Sequence, residues 1–249
     1  MRKFGIIGYP LGHSFSAAYF NEKFEAEGID AVYLKFPIPR IEDFTEVIAS
    51  NPELCGLNVT IPYKEKVIPY LDELDKNTAH IGAVNVIEVQ HLPKGKTRLI
   101  GHNSDIVGFM NSIEPLLQPH HTKALVLGTG GASKAVFHGL QNLGVEPQLV
   151  SRRKKSDEVL TYAELTPEVM DAYKVVVNTT PLGMSPNVDT CADIPYDLLT
   201  PQHLVYDVVY NPEQTLFLKK AAEQGAVTKN GLEMLLLQAI AAWEFWNKK

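Results

Sequence analysis

Cysteine is scarce. Cys55 and Cys191 are the only two in 249 residues, far apart and without metal-ligand spacing. That excludes a disulfide framework and a thiolate metal site as organising features, and both side chains are expected to be reduced thiols in a cytoplasmic protein. Long apolar runs are missing as well. No stretch approaches the roughly 20 residues needed to cross a bilayer. The opening M-R-K-F-G-I-I-G has two basic residues but too short an apolar run for a signal peptide, so it reads as a first strand. Positive charge is not in excess: 23 Lys and Arg against 29 Asp and Glu give a net charge of −6, with no long basic stripe. Nucleic acid is therefore not expected as the main partner. Eight histidines are scattered without an H-E-x-x-H or paired-His motif, so no metal site is indicated. What is present is 45% hydrophobic and 21% charged, enough to bury a large core in one or two domains.

The stretch Leu57–Lys64, L-N-V-T-I-P-Y-K, organises the first half. Leu57, Val59 and Ile61 alternate with Asn58 and Thr60, the period of a strand over 54–61 with one buried face. Pro62 stops the ladder because it has no N–H to donate. An amide, a hydroxyl and the ammonium of Lys64 are thus gathered at a strand end, where a scaffold can hold reactive groups. An edge strand with a solvated lysine is the other reading. Strands are also expected at 3–8, 32–36 and 83–89, and helices at 17–27, 41–50 and 64–74, in an alternation that suggests a mostly parallel α/β sheet. Ser14 and Ser16 open the first helix, either as caps or as a carboxylate site at a helix N-terminus. Asn85 lies within an apolar strand, where a buried amide needs a structural partner or a ligand hydroxyl. Asp105 precedes a helix over 106–117 and could be a simple N-cap.

A second unit begins with a buried strand at 123–127. It enters Gly128-Thr129-Gly130-Gly131-Ala132-Ser133 and a helix that runs to Leu143, and the chain returns as a strand at 148–150. This is a βαβ unit with its glycine turn between strand and helix, as a dinucleotide site requires, although the third glycine of G-x-G-x-x-G is Ser133. Ser151-Arg152-Arg153-Lys154-Lys155 follows the second strand, where an NAD site places an acid on the ribose. Guanidinium groups there favour a 2′-phosphate, hence NADP. A strand at 174–178 leads into Asn178-Thr179-Thr180-Pro181-Leu182-Gly183-Met184, and another at 204–209, holding Val208, precedes Tyr210. A helix over 215–224 follows. The last helix starts at Gly231 and runs to about Trp246. It is apolar nearly all round and expected to be buried, with Gln238 either a core amide or a ligand contact.

Taken in order, the motifs resemble the shikimate dehydrogenase family over essentially the whole chain. They are G-Y-P-L-G-H-S-F-S at 8–16, N-V-T-I-P-Y-K at 58–64, G-A-V-N at 82–85, N-S-D-I-V-G at 103–108, G-T-G-G-A-S at 128–133, N-T-T-P-L-G-M at 178–184, Y-N-P-E-Q-T at 210–215 and G-L-E-M-L-L-L-Q at 231–238. The resemblance implies an α/β substrate domain (1–104 with 233–249) and a Rossmann-like NADP domain (105–232), separated by a cleft that closes on the ligands. It implies that Ser14, Ser16 and Tyr210 hold the substrate carboxylate, and that Asn58, Thr60, Asn85 and Gln238 hold ring hydroxyls. Lys64 and Asp105 match the catalytic pair. The glycine turn 128–133, Ser151, Arg152, Arg153, Asn178, Thr179, Thr180, Met184, Val208 and Gly231 fall at cofactor positions. Departures are small: Ala17, Val86 and Ser104 stand where Pro, Thr and Thr are usual, and Arg153 where Thr often follows Asn-Arg. The activity so implied is NADPH-dependent reduction of 3-dehydroshikimate to shikimate, with no membrane or nucleic-acid partner, in a monomer or homodimer. A quinate/shikimate dehydrogenase of broader range and a non-catalytic NADP-binding sensor are the alternatives.

Overall fold

The computed structural model describes residues 1–12, 15–154 and 156–247. Two compact units emerge, Met1–Ser104 with Ala239–Lys249, and Asp105–Gln238, so the return between units falls inside the last helix.

The first unit contains β1 (Arg2–Gly8), α1 (Phe15–Ala26), β2 (Ala31–Pro37), α2 (Phe44–Ala49), β3 (Leu54–Val59), β4 (Glu73–Leu74), α3 (Lys76–Ile81), β5 (Val86–Leu92) and β6 (Lys96–His102). Its sheet has the order β2-β1-β3-β5-β6-β4. One face packs Ile7, Leu57, Val59 and Ile87, and the other packs Phe4, Ile6, Val86, Phe20 and Trp246. With both faces covered, alternation along β3 is not alternation of burial: Leu57, Asn58 and Val59 are all buried. Ile61, expected on the inner face, is 66% exposed because the strand has already ended at Val59.

Three further expectations are corrected here. The sheet is mixed: β5 runs antiparallel to both β3 and β6. No helix spans 64–74. The chain turns through 64–67, forms a single 3-10 turn at Ile68–Tyr70 and continues as β4. Pro69 cannot supply a helical N–H, and Asp72 is captured by β6 instead, its N–H donating to Leu99 O and its carboxylate accepting from Leu99 N. β5 starts at Val86 rather than Ala83 because 83–85 are tied elsewhere. Val84 N donates to Lys64 O, Asn85 N to His102 O, and Asn103 Nδ2 to Ala83 O.

The second unit holds α4 (Asp105–Ile113), β7 (Lys123–Leu127), α5 (Gly131–Asn142), β8 (Glu146–Ser151), β9 (Val159–Thr161), α6 (Pro167–Ala172), β10 (Val175–Asn178), β11 (Leu204–Asp207), α7 (Leu216–Glu223), β12 (Val227–Lys229) and the start of α8 (Leu232–Asn247). Its sheet is wholly parallel, in the order β12-β11-β10-β7-β8-β9. The order reverses at β7, the switch point at which ligands bind in open α/β sheets. Two cores cover it, one around Leu125, Leu127, Val176 and Phe217, the other around Val126, Val136, Val177 and Tyr206. The last helix is less buried than its composition implies: Leu232, Leu236 and Ile240 form an exposed stripe four residues apart. Among the described residues no helix is long and apolar enough to cross a membrane.

Candidate functional site

In the first unit the functional side chains collect where β3 and β6 end and β5 begins. Asn58 is buried in β3, with both ends of its amide fixed. Its Oδ1 accepts from Tyr33 Oη at 2.6 Å and its Nδ2 donates to Asn85 O at 3.2 Å. The neighbouring amide is held by the chain just after β6, the strand paired with β5: Asn85 Nδ2 donates to Ser104 Oγ at 2.9 Å, and Ser104 N donates to Asn85 Oδ1 at 2.7 Å. Asn85 therefore has a structural partner. Thr60 continues the parallel ladder after β3, its N–H donating to Ile7 O, and Tyr63 N closes a turn onto Thr60 O. Tyr63 is buried and donates from its hydroxyl to Ile38 O at 2.6 Å. That anchor fixes the backbone immediately before Lys64, and Val84 N fixes the Lys64 carbonyl at 2.7 Å. Lys64 is half-buried.

Tyr33 has no place in the sequence reading, yet it orients one of the predicted residues, donating to Asn58 Oδ1. Burial, opposed by the Ser16 hydrogen bond, pushes its phenol well above the usual range, so it remains a neutral donor. A buried tyrosine needs a partner for its hydroxyl, and that was the available signal. Ser14 lies outside the described residues.

His102 ends β6 between two carboxylates, with Nδ1 2.8 Å from Asp75 Oδ2 and Nε2 3.3 Å from Glu88 Oε2. Burial alone would raise the Asp75 carboxyl, but hydrogen bonds from His102 and Thr78 hold it down to about 2. The start of 103–104 is thereby pinned. Asp105 is the first residue of α4 rather than its cap, and it is buried. Tyr210 is half-buried. Gln238 is buried and donates back to its own helix at Leu235 O, 2.9 Å away.

In the second unit the glycine turn leaves β7 at the switch point. Gly128 has φ of +116°, and a Cβ there would lie 2.7 Å from Thr179 Oγ1, so conformation and space both demand glycine. Gly130 differs: its φ is −96° and a Cβ would meet no atom within 4 Å. Nothing in the fold requires glycine there. Gly130 also makes no side-chain cap at the start of α5. Gly131 and Ala132 form the first turn, where backbone N–H groups and the helix dipole favour an anion. Ser133 is buried, and its hydroxyl donates to Gly130 O at 2.6 Å, so it shapes the turn.

The loop after β10 is built around Asn178, whose side chain is fully buried. Its Oδ1 accepts from Thr180 N and Oγ1, and its Nδ2 donates to Asp207 Oδ1. These bonds make the Asn178 side chain the internal support of the loop. Thr179 likewise gives its hydroxyl proton to Leu127 O, at 2.7 Å. Met184 stands 45% exposed on this loop. Val208 N donates to Asn178 O, and a Cβ on Gly231 would lie 2.1 Å from Val208 O, so these chain segments touch. Ser151 closes β8, and Arg152 and Arg153 follow it exposed. Lys154 pairs with Glu164 at 2.9 Å, while neither arginine makes an ion pair among the described residues. The open turn, the uncapped helix start and two uncommitted guanidinium groups fit a dinucleotide carrying an extra phosphate. No group of acidic, histidine and cysteine side chains suited to a metal occurs among the described residues.

A family model described as the shikimate dehydrogenase substrate binding domain matches residues 6–87. A Desulforamulus reducens protein named shikimate dehydrogenase (NADP(+)) is 37% identical over 264 residues, covering 97% of this chain and 88% of its own. A Thermus thermophilus shikimate 5-dehydrogenase solved with NADP(H) and shikimate superposes with a TM-score of 0.85 at 29% identity, over 99% of this chain and 94% of that one. A Corynebacterium glutamicum quinate dehydrogenase solved with NAD gives 0.86 at 28% identity, over 99% and 93%.

Proposed function

This chain belongs to the shikimate dehydrogenase family, and from that premise we propose that it interconverts 3-dehydroshikimate and shikimate with NADP(H). The first unit is the substrate domain and the second the cofactor domain. The observation that carries the reading is the set of oriented polar groups at one sheet edge of the first unit, Asn58, Asn85 and the backbone-anchored Lys64. A polyhydroxylated carboxylic acid needs such a set. Ser14, Ser16 and Tyr210 take the carboxylate, and Asn58, Thr60, Asn85 and Gln238 take the hydroxyls. The turn 128–133 takes the pyrophosphate, Arg152 and Arg153 the 2′-phosphate, and Thr180, Met184, Val208 and Gly231 line the remainder.

When bound, NADPH supplies the hydride. Lys64 Nζ donates the proton that the developing alkoxide oxygen takes up, and Asp105 orients the ammonium. Serine at both carboxylate positions favours shikimate over quinate, whose extra hydroxyl crowds the same carbon. Both cysteines are unbonded, which fits a cytoplasmic enzyme. Initial rates with shikimate and with quinate, each with NADP+ and NAD+, test the reading. Shikimate with NADP+ should give the highest kcat/KM. Equal rates with quinate would replace it with the broader enzyme, and tight NADP+ binding without turnover would leave a sensor.

A further inference from the structure

We propose that Lys35 is a specificity-determining residue whose charge draws the substrate carboxylate to the Ser16 end of the site, a role that rests on the function proposed above. The residues assigned to that carboxylate, Ser14, Ser16 and Tyr210, are all hydroxyl side chains. They donate hydrogen bonds but bring no cation, and the chain as a whole has a net charge of −6. An anionic substrate therefore approaches a protein whose overall field repels it. A cation at the correct end of the site offsets that repulsion and orients the incoming anion.

Lys35 lies on β2 opposite Ile6 of β1, and Ile6 is in turn opposite Asn58 of β3. Residues in one row across neighbouring strands send their side chains to the same face, and two strand spacings set the outer pair about 10 Å apart. That face is the one covered by α1. Ile6 packs there with Phe4, Phe20, Tyr33 and Trp246, and Tyr33, two residues before Lys35, donates to Asn58 Oδ1. Lys35 thus shares a row and a face with an amide assigned to a substrate hydroxyl. Its ammonium reaches on toward the start of α1: Nζ donates to Gly12 O at 3.2 Å. Gly12 precedes Phe15, the first residue of α1, by three positions, and Ser16 is the second residue of that helix. The bond to Gly12 uses one of three ammonium N–H groups and fixes where the charge sits. Lys35 is exposed and forms no ion pair among the described residues, so no carboxylate of the chain cancels its charge. The positive end of the α1 dipole lies at the same end and acts in the same sense.

Lys35→Met keeps most of the stem and removes the charge. One charge about 8 Å from a carboxylate, at an effective dielectric constant of ~40 to ~80, corresponds to about a two- to fivefold effect. With NADP+ saturating and salt near 0.01 M, where the Debye length is about 30 Å, KM for shikimate should rise by that factor. The turnover number should change less than about twofold, since the contact serves ground state and transition state alike, and the melting temperature and KM for NADP+ should stay level. At about 1 M salt, where the Debye length is about 3 Å, wild type and variant should agree. Lys35→Arg should retain the wild-type KM and Lys35→Glu should raise it beyond the value for Lys35→Met. The methyl ester of shikimate, which has no anionic carboxylate, should give one kcat/KM with wild type and Lys35→Met. An unchanged KM for shikimate at low salt, a rise that persists at high salt, or an equal loss with the ester would overturn the proposal; the last two would make Lys35 only a brace for the chain at Gly12. Absence of shikimate turnover in the wild type would overturn the functional reading itself, whereas normal wild-type turnover with an unresponsive Lys35→Met would sink the role of Lys35 alone.

Discussion

Replacing Asp207 tests whether one buried acid holds the carboxyl edge of the second sheet. Its carboxylate is fully buried and accepts from three donors, Asn178 Nδ2 at 2.9 Å, Val209 N at 3.0 Å and Thr215 Oγ1 at 2.6 Å. Alanine removes the acceptor from all three. The threonine hydroxyl can turn away, but the Asn178 amide and the Val209 N–H cannot. Two orphaned donors at about 1–3 kcal/mol each put the loss near ~4 kcal/mol, against a total stability of roughly 5–15 kcal/mol. Asparagine behaves differently. Its oxygen keeps the Asn178 and Val209 bonds, and its NH2 meets a Thr215 oxygen that can reverse to accept. It also removes a charge the fold disfavours: burial, only partly offset by the three donors, pushes the Asp207 carboxyl from 3.8 up to about 6. With the folded value raised, the unfolded chain ionises first. Stability therefore falls as pH rises from about 4 to about 6 and is level above that. Between pH 7.5 and pH 5 the wild type gains roughly 1.4 kcal/mol from this one group, and Asp207→Asn gains none. Urea unfolding of wild type, Asp207→Ala and Asp207→Asn at both pH values reads every term. At pH 7.5 the alanine variant should be about 4 kcal/mol weaker and the asparagine variant within about 1 kcal/mol of wild type, with the gap between wild type and Asp207→Asn shifting by the stated amount at pH 5. An alanine variant as stable as wild type, or parallel pH trends for wild type and Asp207→Asn, would refute the reasoning.

Lys64→Ala should lower kcat by about a hundred- to ten-thousand-fold, the range for lost general acid–base assistance, with KM for shikimate changing far less; near-normal turnover rejects the role. Gly130→Ala should leave the melting temperature alone, since its φ is ordinary and the added carbon meets nothing within 4 Å. The dissociation constant for NADP+, followed by fluorescence titration, should rise about tenfold, equivalent to ~1.4 kcal/mol; an unmoved constant takes Gly130 out of the cofactor site. Arg152→Ala should weaken NADP+ about tenfold or more, as expected for a charge-assisted hydrogen bond, and leave NAD+ nearly unchanged. Equal weakening of both would argue against a contact with the 2′-phosphate.

The second unit was the more legible of the two in the sequence. A strand of continuous apolar residues, a glycine turn and an amphipathic helix are local signals, and β7, α5 and β8 follow from them. Strands such as β4, β9 and β12 carry no such signal. Two or three residues become a strand only because a partner ladder is present, as where Leu149–Ser151 recruits Val159–Thr161. The missing helix over 64–74 has the same origin. Its apolar spacing suits a helix, but the Asp72 bonds to Leu99 come from a residue 27 positions on, invisible to any short window. At the site, Lys64, Asn58 and Asn85 stood out as polar groups among apolar neighbours. Asn178 stood out for the same reason, and its amide proved to support the loop from inside. Polarity in an apolar run marks a hydrogen-bonded group without saying whether its partner is protein or ligand.

On the function proposed above, the two units solve recognition in different ways, and this bears on where specificity resides. In the second unit the candidate cofactor groups are backbone at the turn and exposed guanidinium groups at its rim, while the buried side chains Ser133, Asn178 and Asp207 bond one another or the chain. Such a site binds a phosphate through helix ends and charge, which tolerate small displacements. In the first unit the proposed recognising groups include buried amides, already oriented by Tyr33, Asn85 and Ser104. A hydroxyl on the substrate must complete their remaining valences in directions that are fixed beforehand. An analogue lacking it leaves a buried polar group unpaired, which discriminates far more strongly than a missing methylene does. Deleting one ring hydroxyl of shikimate should therefore cost more in kcat/KM than replacing NADP+ by NAD+ after Arg152→Ala has removed the rim contact.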